Sequence, residues 1–450
     1  MYRMMRVWAD MRASFWSLPS LILIASIGLG FFLTHLDGTE LEQWMKQYPR
    51  LFGASAEGAR QMLSTIASSM MTVVGTVFSM TLVALALASS QFSSRVLRTF
   101  MRSRVTQASI GIFAGIFVYC LIVLRGVHGK DETVFVPVLA VSTAMVLAII
   151  GVAVLIVFIH HIALSIQAST ILDNIASETI TAIEAIFPDM ANAISLDPAQ
   201  SDAAAALAAT LHWVPVVALK SGYLQSIDKD ELLRIACELN ATIRVERGIG
   251  QFVLAGMPIF SVSDKVAIGG DAIRTMRSTL IVSAYRTVEQ DPSFGIRQLV
   301  DVALKALSPG VNDTTTAIMC LDYLGAVMAT IARSTIPSRY WHVDGKLKVV
   351  TISPDFASLL GEAFDQIRRS ADANVAVIVR MIATLDMLGA VCVGTSRFED
   401  LFKQLDFLEE LGDRSISAPH DREFVTGRVA EVRSRLAAAC LALPQELRPT

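Results

Sequence analysis

The sequence predicts an α-helical integral membrane domain of four transmembrane helices, followed by a cytoplasmic α+β domain. That second domain is expected to hold a small glycine-rich, barrel-sandwich-like β unit and a helical C-terminal part. Three observations carry the expectation. The 450 residues are 53% hydrophobic and only 18% charged, against roughly 45–50% and about 25% in ordinary globular domains. The charge is unevenly spread: residues 1–172 hold 12 Lys/Arg and 7 Asp/Glu, residues 173–450 hold 26 and 34. Short extended segments punctuated by glycine cluster in 213–285. Composition excludes a disordered, collagen-like or disulfide-scaffold chain.

A bilayer core of about 30 Å needs roughly 20 mostly apolar helical residues. Runs without Asp, Glu, Lys or Arg cover Ala13–Leu36, Gln61–Ser94, Val105–Leu124 and Thr133–Leu172, and place spans near 17–35, 64–88, 107–125 and 134–158 within a membrane domain of residues 1–172. Later charge-free runs, Ala203–Leu219 and Gly248–Ser263, are shorter and contain proline, so they read as core segments of a folded domain. The first run ends in Gly30-Phe31-Phe32-Leu33, unlike a small-residue cleavage site, which favours an uncleaved anchor.

Orientation follows from loop cations. Arg3, Arg6 and Arg12 precede the first span, and Arg95, Arg98, Arg102 and Arg104 fill the second loop. The first and third loops mix Lys46, Arg50, Arg60, Arg125 and Lys130 with six acidic residues. Both termini and the second loop are therefore expected in the cytoplasm of a bacterial inner (plasma) membrane. Five cysteines without a CxxC pair suit a reducing compartment and offer no metal site.

The second span is rich in hydroxyls. At about 100° per residue, Thr65, Ser68, Ser69, Thr72, Thr76, Ser79 and Ser90 lie along one line, continued by Val83 and Leu87. Arg95, Arg98 and Arg102 follow on one face. This pattern suits a pore-lining helix of a homo-oligomer, with an apolar constriction at Val83–Leu87 and an anion-attracting inner mouth. It also suits helix packing through small and hydroxyl residues, with the arginines as cytoplasmic anchors. Gly111 and Gly115 form a GxxxG for close helix contact, within or between subunits. His160-His161 point about 100° apart and cannot chelate one ion as an i, i+4 pair can; a cap or headgroup contact is the simpler role.

After the membrane, Ile162–Ile186 reads as a continued helix that runs into a connector over 173–212. The β unit spans 213–285: Val214, Val216 and Val217 lead to Ser221-Gly222-Tyr223 and a helix at Asp230–Asn240, and extended segments follow at Thr242–Glu246, Gln251–Leu254 and Pro258–Val262. A mainly helical region fills 286–450. There Ser308-Pro309-Gly310 stops one helix and Asn312 or Asp313 caps the next. Asp344-Gly345 marks a two-residue hairpin turn between Tyr340–Val343 and Lys346–Ile352. Arg286, Asp291, Arg297, Asn312 and Asp313 form a polar set that suits a buried network, a small-ligand pocket, or plain capping and ion pairing. No Walker lysine loop, GxSxG elbow, HExxH or dinucleotide fingerprint is present. An enzyme is therefore not expected, nor a cofactor, a metal or a nucleic-acid partner.

Four stretches carry a family resemblance: Gly58–Arg102, VFIHHIALSIQAS (Val157–Ser169), SGYLQSID (Ser221–Asp228) and, most specific, RTVEQDPSFGIRQLVDVALKALSPGVNDTTTAIMCLDYL (Arg286–Leu324). The chain resembles a bacterial family of predicted membrane proteins classed as domain of unknown function 2254. The resemblance implies a membrane topology and no assigned activity; similar sequences place proline where Thr314 stands. The functional expectation is a homo-oligomeric conduit for ions or small solutes in the lipid bilayer, its path lined by the second helix and its cytoplasmic domain assembling or gating it. The alternative is a non-conducting anchored scaffold or sensor whose cytoplasmic domain binds a ligand or protein partner.

Overall fold

The computed structural model describes residues 16–35, 55–91, 103–127, 136–187, 198–263 and 269–443, with the side chains of 88–91 and 198–202 left aside. Arg95, Arg98 and Arg102 lie outside the described residues, as does the side chain of Ser90. The chain divides into two compact units, Met1–Ile171 and Leu172–Thr450.

Among the described residues, four helices lie wholly in the first unit: α1 (Ser17–His35), α2 (Ala56–Gln91), α3 (Arg104–Gly126) and α4 (Val138–Ser165). Helix α3 packs against the other three. Its buried side holds Phe113, Ile116, Tyr119, Cys120 and Val123 together with Gly111 and Gly115. A Cβ on Gly111 would sit 2.9 Å from the Pro19 Cα, and one on Gly115 would sit 2.5 Å from the Ser26 Oγ. The GxxxG therefore lets α1 and α3 touch backbone to backbone inside one subunit. Tyr119 Oη donates to the Ala140 carbonyl at 2.8 Å, which satisfies a phenol in an otherwise apolar core. At the start of α3, Ser103 accepts from the Thr106 N–H and lies 2.9 Å from His161 Nε2.

Helix α2 has 36 residues, a length of about 54 Å. It buries Ala59, Leu63, Ala67, Met70, Val77 and Ala84, positions separated by helical threes and fours that give one core-facing seam.

Helix α4 does not run on as one helix through Ile186. Ser165 Oγ donates to the His161 carbonyl at 2.7 Å, the last turn tightens with Gln167 N–H to the Leu164 carbonyl, and α5 (Ala168–Ile186) begins afresh. A serine bonded to its own preceding turn favours such a break.

The second unit continues through α6 (Pro198–Thr210), β1 (Trp213–Val217), β2 (Gly222–Ile227), α7 (Lys229–Glu238), β3 (Ile243–Val245), β4 (Phe252–Val253), β5 (Pro258–Ser263), α8 (Gly270–Ser278) and β6 (Leu280–Ser283). Then come α9 (Pro292–Ala306), α10 (Thr314–Arg333), the hairpin β7 (Tyr340–Val343) and β8 (Lys346–Val350), and four helices: α11 (Phe356–Ala371), α12 (Val375–Gly389), α13 (Thr395–Ser415) and α14 (Pro419–Leu441).

In place of a barrel-sandwich-like unit confined to 213–285, the strands form two sheets, one ordered β1-β5-β3-β8-β7 and one ordered β4-β2-β6. The larger takes two strands from beyond residue 285, and β3 runs parallel to β8, with Ile243 beside Val349. Leu224, Leu232, Ile235, Ile243, Phe260, Val262, Met276 and Val349 fill the core of this α/β part. The β7–β8 turn places Asp344 at φ 51° and Gly345 at φ 71°, the two left-handed residues that a type I′ hairpin requires.

Four helices of the helical part start alike. Asp291, Asp313, Asp355 and Asn374 each accept the N–H three residues on, opening α9, α10, α11 and α12; each such cap contributes about 1 kcal/mol. At the other end of α10, the Arg397 guanidinium donates to the carbonyls of Ile331, Ala332 and Ser334.

Among the described residues, five helices are long and apolar enough to cross a bilayer: α1, the Ala56–Leu87 part of α2, α3, α4 and α10. That is one more than the four spans expected from charge-free runs. Helix α10 differs in its surroundings, packed by α9, α11 and α12 with more than half of its apolar window covered.

Candidate functional site: the exposed face of α2 and a polar cleft

Two features concentrate polar chemistry, one in each unit. In the first unit, the hydroxyl line of α2 points away from the unit's own core. Thr65, Ser68, Ser69, Thr72, Thr76 and Ser79 are exposed, and Val83 and Leu87 continue the line at 56% and 42% exposure. The helical angle between this line and the seam of Leu63, Ala67 and Met70 is about 175° at 100° per residue. Neighbouring exposed positions Met71, Phe78 and Leu82 form a separate apolar flank. The outward surface of α2 is therefore split into a hydroxyl strip and a greasy strip.

The threonines on that strip are internally satisfied. Thr65, Thr72 and Thr76 donate to the carbonyls of Gln61, Ser68 and Thr72 at 2.8–3.1 Å. Back-bonding of this kind spares the donor in a dry environment while leaving the oxygen lone pairs on the surface. Thr81, toward the opposite face, makes the same bond to Val77 at 2.8 Å and is half-buried.

In the second unit a cleft of about 710 Å³ opens between the two sheets' loops and the starts of α9 and α11. Its floor is the Arg286–Asp291 ion pair, closed twice by Nε to Oδ2 at 2.8 Å and Nη2 to Oδ1 at 3.0 Å. Asp291 is 3% exposed and Arg286 22%. The turn Gly248-Ile249-Gly250 lies against this pair. Gly250 has φ 82°, and a Cβ there would fall 2.3 Å from Asp291 Oδ2, so both the backbone angle and the close approach demand glycine. On another wall, Lys229 Nζ sits 5.0 Å from the centre of the Trp341 ring, and Arg339 lies 3.6 Å from Asp355.

The five polar residues singled out in the sequence do not make one network. Arg286 and Asp291 pair with each other, and Arg297 pairs with Asp301 one turn along α9 at 2.8 Å. Asn312 (φ 50°) and Asp313 lie past the other end of α9, where Asp313 caps α10 and also accepts from Thr316 Oγ1 at 2.5 Å. Glu362 is a cleft-side group that sequence reasoning missed. It accepts a hydrogen bond from Ser293 Oγ. Burial pushes its carboxyl above the usual range against the pull of Ser293, Arg286 and Arg297. No motif marks it, because its burial arises only when α11 packs on α9.

Thr314 stands at the first position of α10, and its Oγ1 accepts from Asn374 Nδ2 at 2.9 Å. This ties the start of α10 to the start of α12, a bond that proline could not accept. Among the described residues, no group of three or more His, Cys, Asp or Glu is placed to hold a metal ion.

Comparison with known proteins bears on the whole chain. The uncharacterized protein Mb1321c of Mycobacterium bovis and the uncharacterized protein Rv1290c of Mycobacterium tuberculosis are each 31% identical to it over 429 residues, 93% of this chain and 80% of the relative. No solved structure matches. The model of the family described as "Predicted membrane protein (DUF2254)" matches residues 12–387, and the chain belongs to that family.

Proposed function

We propose that this multi-pass membrane protein assembles as a homo-oligomer in which copies of α2 surround a path for ions or small solutes. In this reading α1–α4 are the spans and α10 is a core helix of the second unit. Both termini and that unit face the cytoplasm of a bacterial inner membrane. One observation carries the proposal: the hydroxyl strip of α2 is turned out from the subunit's own core, beside a distinct apolar strip that suits acyl chains. A lone subunit would leave both strips to lipid. Symmetric association would place the hydroxyl oxygens on a shared axis and Val83 and Leu87 at a dry constriction.

The test is reconstitution. Purified protein should run as an oligomer by light scattering in detergent and pass solute in liposomes. Thr72→Val and Ser79→Val should alter permeation and Thr81→Val should not. A monomer without flux would remove the proposal. The second reading, a non-conducting anchored sensor, is favoured by the cleft in the second unit, which has the size of a small-molecule site.

A further inference from the structure

We propose that the cleft of the second unit binds a soluble phosphate-bearing small molecule. The cavity, about 710 Å³, falls within the roughly 300–1,000 Å³ of typical small-molecule sites. Its lining carries three cations, Lys229, Arg286 and Arg339, against one carboxylate, Asp291. The bidentate Arg286–Asp291 pair is mutually neutralised, so the remaining positive charge belongs to Lys229 and to Arg339, which is only loosely paired with Asp355.

Both cations are exposed, and their partners are weak. Lys229 rests over the Trp341 ring, and Arg339 faces the exposed carboxylate of Asp355 at 3.6 Å, longer than a good charged hydrogen bond. Either can turn to an anion at little cost. Arg339 lies at the bend just before β7 and Trp341 within that strand, and both line the cleft with Lys229, which brings guanidinium, indole and ammonium to one cavity. Ser293 and Ser358 line the cleft from the first turns of α9 and α11, at the positive ends of two helices, with their hydroxyls held by Glu362 and Asp355. Ile249, Phe187 and Ile352 give the cavity an apolar side that inorganic phosphate alone would leave unused. An anion with an attached ring or hydrocarbon part matches this division.

Asp228 and Asp355 counterbalance the field around the cleft, but each is occupied as a cap, accepting the Glu231 and Ser358 N–H groups. The rigid floor is built in: Gly250 packs against the ion pair, and the Ile227 N–H is bonded to Gln290 Oε1 at 3.1 Å.

The site stands apart from the conduit, and the two proposals fail separately, since ligand binding and flux are read independently. The experiment uses full-length protein in detergent, with ADP, inorganic phosphate and adenosine as probes, followed by equilibrium dialysis and tryptophan fluorescence. ADP should bind saturably, phosphate should compete with it, and adenosine should bind at least about tenfold more weakly. Lys229→Ala combined with Arg339→Ala should weaken ADP by about tenfold or more, as loss of charge-assisted bonds requires. Lys220→Ala with Lys346→Ala, exposed cations away from the cleft lining, should leave it unchanged. Trp341→Phe should abolish the fluorescence response while dialysis still detects binding. Absence of ADP binding, equal binding of adenosine, or ADP binding indifferent to the Lys229/Arg339 pair would overturn the assignment.

Discussion

Replacing Asp291 by alanine tests the construction of the cleft floor. The carboxylate does two jobs: it caps α9 through the Phe294 N–H at 3.2 Å, and it neutralises Arg286 through two bonds. Loss of an N-cap costs about 1 kcal/mol. Removing one partner of a buried ion pair costs about 3–5 kcal/mol, and the 22% exposure of Arg286 lets water reach the orphaned guanidinium, favouring the lower end. Oδ1 serves both roles, so the costs overlap and Asp291→Ala should lose about 3–4 kcal/mol. Asp291→Asn keeps an acceptor for the cap and should lose less. Arg286→Met combined with Asp291→Asn should cost clearly less than the two single changes added, because neither charge is then stranded. Denaturant unfolding of the full chain, followed by tryptophan fluorescence and by hydrogen exchange of the first turn of α9, measures each value. A loss under about 0.5 kcal/mol for Asp291→Ala, within the scatter of ordinary surface substitutions, would refute this view, and so would simple additivity in the double variant.

Other consequences follow from single contacts. Gly250→Ala should destabilise the second unit by at least about 1–2 kcal/mol from the left-handed backbone alone, with the same readout. Gly115→Leu should separate α1 from α3, since even a Cβ meets Ser26 Oγ; the loss should register as a lower melting temperature in detergent, and an unchanged one would place the contact elsewhere. Glu362 is held above its ordinary pKa by burial. An acid raised in this way keeps its proton in the folded chain after the unfolded chain has released it, so stability falls as pH rises from about 4.5 through the folded pKa. Glu362→Gln should flatten that fall and gain most at neutral pH; a parallel pH profile in the variant would contradict the assignment. Arg397→Lys should be markedly destabilising although charge is kept, because one ammonium cannot reproduce the fork to Ile331, Ala332 and Ser334.

What could be read in the sequence was local chemistry. A charge-free run reports the cost of charge in hydrocarbon, so α1–α4 stand out without any knowledge of packing. Asp344-Gly345 and Asp313 are legible because a type I′ turn and an N-cap depend on a few adjacent residues. Helix α10 shows the limit: Asp322 breaks its apolar run, yet its length and mean hydropathy match a span, and only the structure shows Ala317, Cys320, Leu321 and Leu324 covered by neighbouring helices. The pairing of β3 with β8 joins residues about a hundred apart, beyond any periodicity. The cleft draws on four separated stretches, from Phe187, Lys229–Gln251, Arg286–Ser293 and Pro337–Ser358. Of the five polar residues singled out as a set in the sequence, only Arg286 and Asp291 line it. The hydroxyl strip was visible as a line, and its direction relative to the core needed α3 and α4.

The most direct measurement on the central claim is a cysteine scan along α2 in a cysteine-free background, reconstituted in liposomes and probed with a charged, water-soluble thiol reagent. The account predicts reaction at positions 65, 68, 72, 76 and 79 and protection at 71, 78 and 82. Protection of the first group, or equal reactivity of both, would contradict a water-facing path along this helix.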